Sequence, residues 1–304
     1  MLTKVGHLLA LVRFSHTIFA LPFAMLAAVM AWNTPAPEGL TKPSFALEHW
    51  IGIVLCMIGA RSAAMAFNRL ADHKLDALNP RTQGRHIPAG ILTVGTVILF
   101  TVISSAIFVA GTLLFLPNIL PIVLAVPVLL FLFAYSYTKR FTSLAHFWLG
   151  ASLMLAPICV WIALRGEILM QAPHDILPAV LLGLTILLWV AGFDIIYACQ
   201  DYDYDVQARL RSVPAKLGIL GALRVAALCH LAMVVALVSL PLACPQLALG
   251  WLYWAGIAGV AGLLVYEHWL VGPTDLSRIN AAFFRVNAVV SVGLFVIGAI
   301  DMLT

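Results

Sequence analysis

The sequence predicts an all-α integral membrane protein, a bundle of nine transmembrane helices around a central cavity that opens to the cytoplasmic side. Three observations predict it. Apolar residues make up 63% of the 304-residue chain and charged residues only 10%, against about 45–50% and about 25% in soluble globular proteins; mean hydropathy is +1.03. Nine stretches approach the roughly 20 apolar residues that cross a bilayer. Basic residues fall almost wholly on alternate connections. So little polar surface cannot clothe a water-soluble body, which excludes soluble enzymes, nucleic-acid binders and disordered chains.

In chain order, Met1 to Ser15 reads as an amphipathic helix along the membrane interface. No cleavable signal peptide is expected, because Arg13 and His16 precede an apolar stretch that lacks a small-residue cleavage site. The first span runs from Thr17 to Trp32 and is followed by Lys42. The second, Glu48 to Phe67, contains Arg61 and leads into Arg69, Lys74, Arg81 and Arg85. Ile91 to Phe115 and Ile119 to Tyr137 are the third and fourth, closed by Lys139 and Arg140. Leu144 to Leu164 is followed by Arg165. Ile176 to Cys199 leads into Arg209, Arg211, Lys216 and Arg224. Gly221 to Leu242, Leu247 to Leu270 and Ala281 to Leu303 complete the set, with Arg278 and Arg285 before and inside the last. Pro22, Pro127 and Pro157 are expected to kink their spans, which membrane helices tolerate when neighbours satisfy the freed carbonyl.

The basic side, which begins with Lys4 and Arg13, is cytoplasmic by the positive-inside rule. The net charge of +4 matters here through its location. An odd number of spans places the N-terminus inside and Thr304 outside. The five cysteines contain no CxxC pair and sit mostly in apolar stretches, so they read as small packing residues.

The chain has 13 acidic residues, and six lie in two short segments at the cytoplasmic ends of long apolar helices. The first is Asn68-Arg-Leu-Ala-Asp72-His-Lys-Leu-Asp76. The second is Asp194-Ile-Ile-Tyr197-Ala-Cys-Gln-Asp201-Tyr-Asp-Tyr-Asp205. Carboxylates near membrane depth are costly and normally face a cavity or a partner. At 100° per residue, Asn68, Asp72 and Asp76 share about 80° of helical arc, and so do Asp194, Tyr197, Asp201 and Asp205. Asp203 points away from that arc and is expected in solvent. Facing rows of carboxylates repel unless cations lie between them, and hard oxygen donors suit Mg²⁺ completed by substrate phosphates. Arg81 and Arg85 after the first row, and Arg211 and Lys216 after the second, supply an anion-binding half. Acids that hold metal beside such cations describe a diphosphate site.

The two segments also resemble each other. Asp72 and Asp76 recur as Asp201 and Asp205, 129 residues on, and Arg85-His-Ile-Pro88-Ala recurs as Arg211-Ser-Val-Pro214-Ala. The chain therefore reads as a single domain, residues 1–304, with two pseudo-repeated helix–loop units near 61–90 and 190–218.

These motifs closely resemble the UbiA superfamily of intramembrane aromatic prenyltransferases. Its first motif, N-x-x-x-D-x-x-x-D, is matched by Asn68, Asp72 and Asp76. A D-x-x-Y-x-x-x-D-x-x-x-D form of its second is matched by Asp194, Tyr197, Asp201 and Asp205. Asn79-Pro-Arg-Thr82 with Arg85-His-Ile-Pro88 is similar to the loop after the first motif, and Tyr135-Ser-Tyr-Thr-Lys139-Arg140 to the end of the family's fourth span. The resemblance covers essentially the whole chain. Many members carry N-D where this chain has Asn68-Arg69. The N-R form resembles a bacterial branch described as 4-hydroxybenzoate polyprenyltransferase-like, which includes enzymes of the futalosine route to menaquinone, so the resemblance leaves the acceptor open.

The resemblance implies Mg²⁺-dependent transfer of a polyprenyl group from an allylic polyprenyl diphosphate to an aromatic acceptor such as 4-hydroxybenzoate. The setting is ubiquinone or menaquinone biosynthesis in a bacterial inner membrane, with the lipid bilayer as partner. It implies Asp72, Asp76, Asp201 and Asp205 as Mg²⁺ ligands, Asn68 and Asp194 in support, and Arg81, Arg85 and Lys216 on the diphosphate. Tyr197 faces the allylic cation, a contact worth about 0.5–2 kcal/mol. Arg140, with Lys139, orients an acceptor carboxylate.

Other readings stand beside these. The same acids serve a cation-coupled transporter, although Arg81, Arg85, Arg211 and Lys216 have no use in a cation path. A prenyltransferase making haem O or a chlorophyll tail is a third. Lys139 and Arg140 also read as positive-inside anchors, Arg61 as substrate contact or acid partner, and Asn68 and Asp194 as polar staples between helices. Arg285 and Asn287 stay open, and His16 and Arg13 read better as structural. Tyr202, Tyr204 and the tryptophans read as interface anchors.

Overall fold

A computed structural model describes residues 2–12 and 20–304; Arg13 and His16 lie outside the described residues. Every regular element among the described residues is helical. In chain order the helices are α1 (Leu2–Leu11), α2 (Leu21–Asn33), α3 (Leu47–Leu78), α4 (Val94–Thr112), α5 (Leu120–Thr138) and α6 (Ala145–Gln171). They continue with α7 (Leu177–Ala198), α8 (Tyr202–Gln207), α9 (Val213–Ala243), α10 (Trp251–Leu270), the single turn α11 (Ile279–Ala281) and α12 (Asn287–Leu303).

Among the described residues, seven helical segments are long and apolar enough to cross a membrane: α3, α4 with its 3₁₀ end, α5, α6, the α7–α8 stretch, α9, and Ala282–Leu303. The other two expected spans differ for separate reasons. α2 is apolar but only 13 residues long. α10 has 20 residues, but glycines, tryptophans, Glu267 and His268 dilute its apolar content. The chain is a multi-pass, all-helical membrane protein.

The helices form two compact units. One holds α1, α3, α4 and α5. There α3 and α4 approach so closely that a Cβ on Gly59 would lie 2.7 Å from the Phe108 backbone nitrogen, and one on Gly52 2.8 Å from the Phe115 ring. Small residues at such interfaces let helix backbones approach, as they do in membrane bundles. Ala63, Phe108, Ala125 and Leu129 form a core where α3, α4 and α5 meet, and Leu11, Val12, Ala66, Leu92 and Val97 a second beside α1.

The other unit holds α2 and α6 to α12. A Cβ on Gly150 of α6 would collide with the Leu187 carbonyl of α7, and one on Gly192 of α7 with the His230 ring of α9. At the far end of α6, Arg165 is 1% exposed and leaves helical geometry (φ −121°, ψ 22°). Its guanidinium donates to the carbonyls of Ala31, Thr34 and Pro35 and to both oxygens of Asp175. The arginine that follows the fifth expected span is thus a satisfied pin within the fold.

Two local expectations are corrected. Pro22 occupies the first turn of α2 rather than its interior, where its missing N–H leaves no bond unmade. The second acidic segment is not one continuous α-helix: α7 ends at Ala198, Cys199–Asp201 is a 3₁₀ turn, and α8 begins at Tyr202. A 3₁₀ turn has about 3.0 residues per turn, so Asp201 and Asp205 are rotated from the arc that unbroken α geometry places beneath Asp194.

Candidate active site

The first acid row lies on the C-terminal half of α3. Its 32 residues make about 48 Å of helix, longer than the roughly 30 Å hydrocarbon core, so the helix carries the motif beyond Phe67 without a break. Asn68 Nδ2 donates to Asp72 Oδ2 at 3.0 Å and lies 3.5 Å from Ser136 Oγ of α5. Arg69 Nη1 donates to Asn68 Oδ1 at 3.3 Å. One turn below the half-buried Asp72, Asp76 is buried, with Oδ1 accepting from Arg85 Nη1 at 2.6 Å and Oδ2 buried without a partner. The loop folds back to deliver Arg85: Thr82 Oγ1 donates to the Asp76 carbonyl, Arg81 N–H to Asn79 Oδ1, and Thr82 N–H to the Asn79 carbonyl. Arg81 is exposed. Upstream on α3, Arg61 has its Nε buried without a partner. On the same loop, partial burial and the neighbouring charges of His7 and Arg69 hold the His86 imidazole below its ordinary pKa.

The second row begins on α7. Asp194 Oδ2 lies 2.7 Å from His146 Nδ1, and the half-buried Tyr197 packs its ring on Phe283 with centroids 4.4 Å apart. Asp201 and Asp205 are buried; Asp205 Oδ2 has no partner, while its carbonyl accepts from Leu210 N–H. Asp203 is exposed. After α8 the chain passes through Arg209 in the left-handed region (φ 53°). Arg211 then ties this loop to the Lys139–Phe141 corner: its N–H donates to the Lys139 carbonyl at 2.8 Å and its Nη1 to the Phe141 carbonyl at 2.8 Å. Ser212 caps α9 by accepting from Ala215 N–H. Lys216, in the first turn of α9, and Arg140 are exposed, and Lys139 is half-buried.

Within the first unit, then, Asn68 is joined to Asp72 and Asp76 is joined to Arg85. Within the second, Arg211 reaches backbone carbonyls rather than an acid. Asn287, left open by the sequence, is fully buried. It accepts from Trp189 Nε1, donates to Glu267 Oε1, and caps the Ala282 and Phe283 carbonyls of the π-helical turn Ala282–Val286. That turn sets Phe283 beside Tyr197. Arg285 is exposed.

Sequence reasoning missed His146, which is fully buried at the start of α6. The one signal for it was an ionisable side chain opening an apolar span.

The acids pass a chemical test for a hard divalent cation. Asp76 and Asp205, which match in the repeat, each leave a carboxylate oxygen buried with no hydrogen-bond partner. Such oxygens are costly unless a donor or cation meets them. Among the described residues no three His, Cys, Asp or Glu side chains are gathered as a metal cage. A Mg²⁺ held by one or two carboxylates and completed by phosphate and water needs none.

Comparison with known proteins agrees with this chemistry. Residues 19–289 match the UbiA prenyltransferase family. The chain is 32% identical over 269 residues to a 4-hydroxybenzoate octaprenyltransferase of Methylococcus capsulatus, covering 86% of this chain and 84% of the relative. It is 30% identical over 252 residues to one of Aliivibrio fischeri, covering 80% and 81%. Among solved structures, a UbiA homologue from Aeropyrum pernix K1 superposes with TM-score 0.80 at 29% identity, covering 95% of this chain and 98% of that one. A UbiA homologue from Archaeoglobus fulgidus bound to DMAPP and Mg²⁺ superposes with TM-score 0.65 at 15% identity, covering 95% and 98%; at that identity the likeness speaks for the fold.

Proposed function

Because the chain belongs to the UbiA prenyltransferase family, we propose that it transfers a polyprenyl group from an allylic polyprenyl diphosphate to an aromatic quinone precursor such as 4-hydroxybenzoate. That it is a prenyltransferase follows from the family and its named relatives. Donor, acceptor, metal and residue roles are the proposal. The observation that carries it is the pair of buried, unpartnered carboxylate oxygens on Asp76 and Asp205.

In this reading Asp72, Asp76, Asp201 and Asp205 hold Mg²⁺, with Asn68 and Asp194 orienting the ligands beside them. When bound, Mg²⁺ neutralises the diphosphate and makes it a better leaving group. Arg81, Arg85, Arg211 and Lys216 share the remaining diphosphate charge. Arg85 then exchanges the Asp76 carboxylate for phosphate oxygens. Tyr197, held by Phe283, turns its ring to the allylic cation left by ionisation. Arg140 with Lys139 orients the acceptor carboxylate, and a guanidinium suits that planar group. The electron-rich ring attacks the cation, and loss of the ring proton restores aromaticity. Apolar helix faces shelter the isoprenoid tail and keep water from the cation.

The fold proposed with this function has nine spans, α2 and α10 crossing as well, and one domain built on two related helix–loop units. The active site opens to the cytoplasmic side of a bacterial inner membrane. Supporting it are the repeated motifs and the segregation of basic residues.

The test is to incubate membranes carrying the protein with labelled polyprenyl diphosphate and 4-hydroxybenzoate, with Mg²⁺ or with chelator. Product is expected with Mg²⁺ alone, and only traces from Asp72→Ala and Asp201→Ala. Metal-independent product, or full activity in both variants, overturns the mechanism. Exchanging the acceptor for a naphthoate in the same assay decides between a ubiquinone-type and a menaquinone-type precursor.

A further inference from the structure

We infer that His146 is a positioning residue, which holds Asp194 through its neutral, Nδ1-protonated tautomer and ties that carboxylate to the loop after the second acid row. The inference rests on the proposed role of Asp194 and deepens it.

The tautomer follows from what surrounds the ring. His146 is fully buried, so both ring nitrogens depend on protein partners. Nε2 lies 3.4 Å from the backbone N–H of Val213. A backbone N–H only donates, so Nε2 presents its lone pair and the ring proton resides on Nδ1. Nδ1–H then donates to Asp194 Oδ2 at 2.7 Å.

The chain of contacts reaches further through the backbone. Val213 is the first residue of α9, directly behind the fully buried cap Ser212. Arg211, one residue earlier, is held by the carbonyls of Lys139 and Phe141. His146 therefore connects α7 to the α8–α9 loop, while that loop is fastened to the Lys139–Phe141 corner. The helix interface is built for the contact. Gly150, one turn after His146, admits the Leu187 carbonyl, and Leu187 lies two turns before Asp194 on the same face of α7. A bulkier residue at position 150 would push α6 off and carry the imidazole away from the carboxylate.

A carboxylate fixed by one strong donor presents its other oxygen in a set direction. Partners of this kind behind metal-site groups typically change metal affinity by about 10–100-fold when removed. His146→Leu deletes the donor; His146→Asn keeps a side-chain N–H near the place of Nδ1.

The experiment uses the full chain in lipid nanodiscs. In His146→Leu, the Mg²⁺ concentration for half-maximal prenyl transfer is expected to rise about tenfold or more, with acceptor KM changed less than about threefold. His146→Asn is expected to recover most of that loss. A merely structural role would lower activity without selectively raising the Mg²⁺ requirement, and Asn would not rescue it. Independently of activity, ¹⁵N-histidine NMR of the wild-type protein reads the tautomer, assigned by the signal absent from His146→Asn. Nδ1–H is expected; Nε2–H or imidazolium overturns the inference, as does an unchanged Mg²⁺ requirement in His146→Leu. Should the wild-type chain transfer no prenyl group to any acceptor, the proposed function fails, and the NMR signal still decides the hydrogen-bond chain.

Discussion

Replacing Asp205 by asparagine separates the demands of metal binding from those of folding. Asp205 is 2% exposed and its Oδ2 is buried without a hydrogen-bond partner. A buried polar group left unsatisfied costs about 1–3 kcal/mol, and more when charged. Asparagine keeps the shape and removes the charge. In chelator, Asp205→Asn is therefore expected to be at least as stable as wild type, because the buried position then carries a neutral rather than a charged polar group. With Mg²⁺ the order reverses. Ligand at about 100 times its Kd stabilises a protein by about 2.7 kcal/mol, and the variant forfeits most of that gain. Prenyl transfer is expected to fall at least about 100-fold, equivalent to about 2.7 kcal/mol of barrier. Thermal unfolding in detergent, with EDTA or Mg²⁺, reads the first two effects, and labelled prenyl transfer reads the third. Asp76→Asn is the contrasting case. Its Oδ1 is paired with Arg85 at 2.6 Å, so removing the charge leaves that guanidinium without its carboxylate and no gain in chelator is expected. A destabilised Asp205→Asn in EDTA together with an undiminished Mg²⁺ shift would refute the reasoning, as would activity within about threefold of wild type.

Arg165→Met is expected to destabilise the protein by about 3–5 kcal/mol, the range for breaking a buried ion pair from one side, because three carbonyls and Asp175 lose their donor; thermal unfolding in detergent checks it. Gly150→Ala, whose new methyl group meets the Leu187 carbonyl, is expected to cost about 1–3 kcal/mol by overpacking and to weaken the His146–Asp194 hydrogen bond, read as a changed His146 ¹⁵N signal. His86 is expected to titrate below a free imidazole, chiefly through burial and also through the charges of His7 and Arg69. Because the folded state disfavours the proton, stability is full above the unfolded pKa of this imidazole and is lost as pH falls from there through its lower folded pKa. His7→Ala should move the His86 titration upward in an NMR pH series.

Much of the architecture can be read from the chain alone because a bilayer imposes coarse rules. An apolar run of sufficient length must be helical, and each expected span from Glu48 onward contains a helix at its place. The spacing of four between Asp72 and Asp76 sets them one turn apart on α3, as expected. The second row was harder. No residue type between Asp194 and Asp205 announces the 3₁₀ turn at Cys199–Asp201, so unbroken helical periodicity does not foresee the break ahead of the lower pair. Arg85 shows the same limit: its charge pointed to phosphate, while the fold of Asn79–Thr82 decides that it rests on Asp76.

By itself, then, the order of residues determined the solvent this protein lives in, the stretches that coil, and which carboxylates are spaced a turn apart; these depend on composition and on neighbours a few positions away. Only the tertiary structure decided that Asp194 meets an imidazole 48 positions earlier, that Arg165 reaches a carbonyl 134 positions away, and which carboxylate oxygens stay without a donor. Such contacts arise from packing between distant segments, which leaves no periodic trace in the chain.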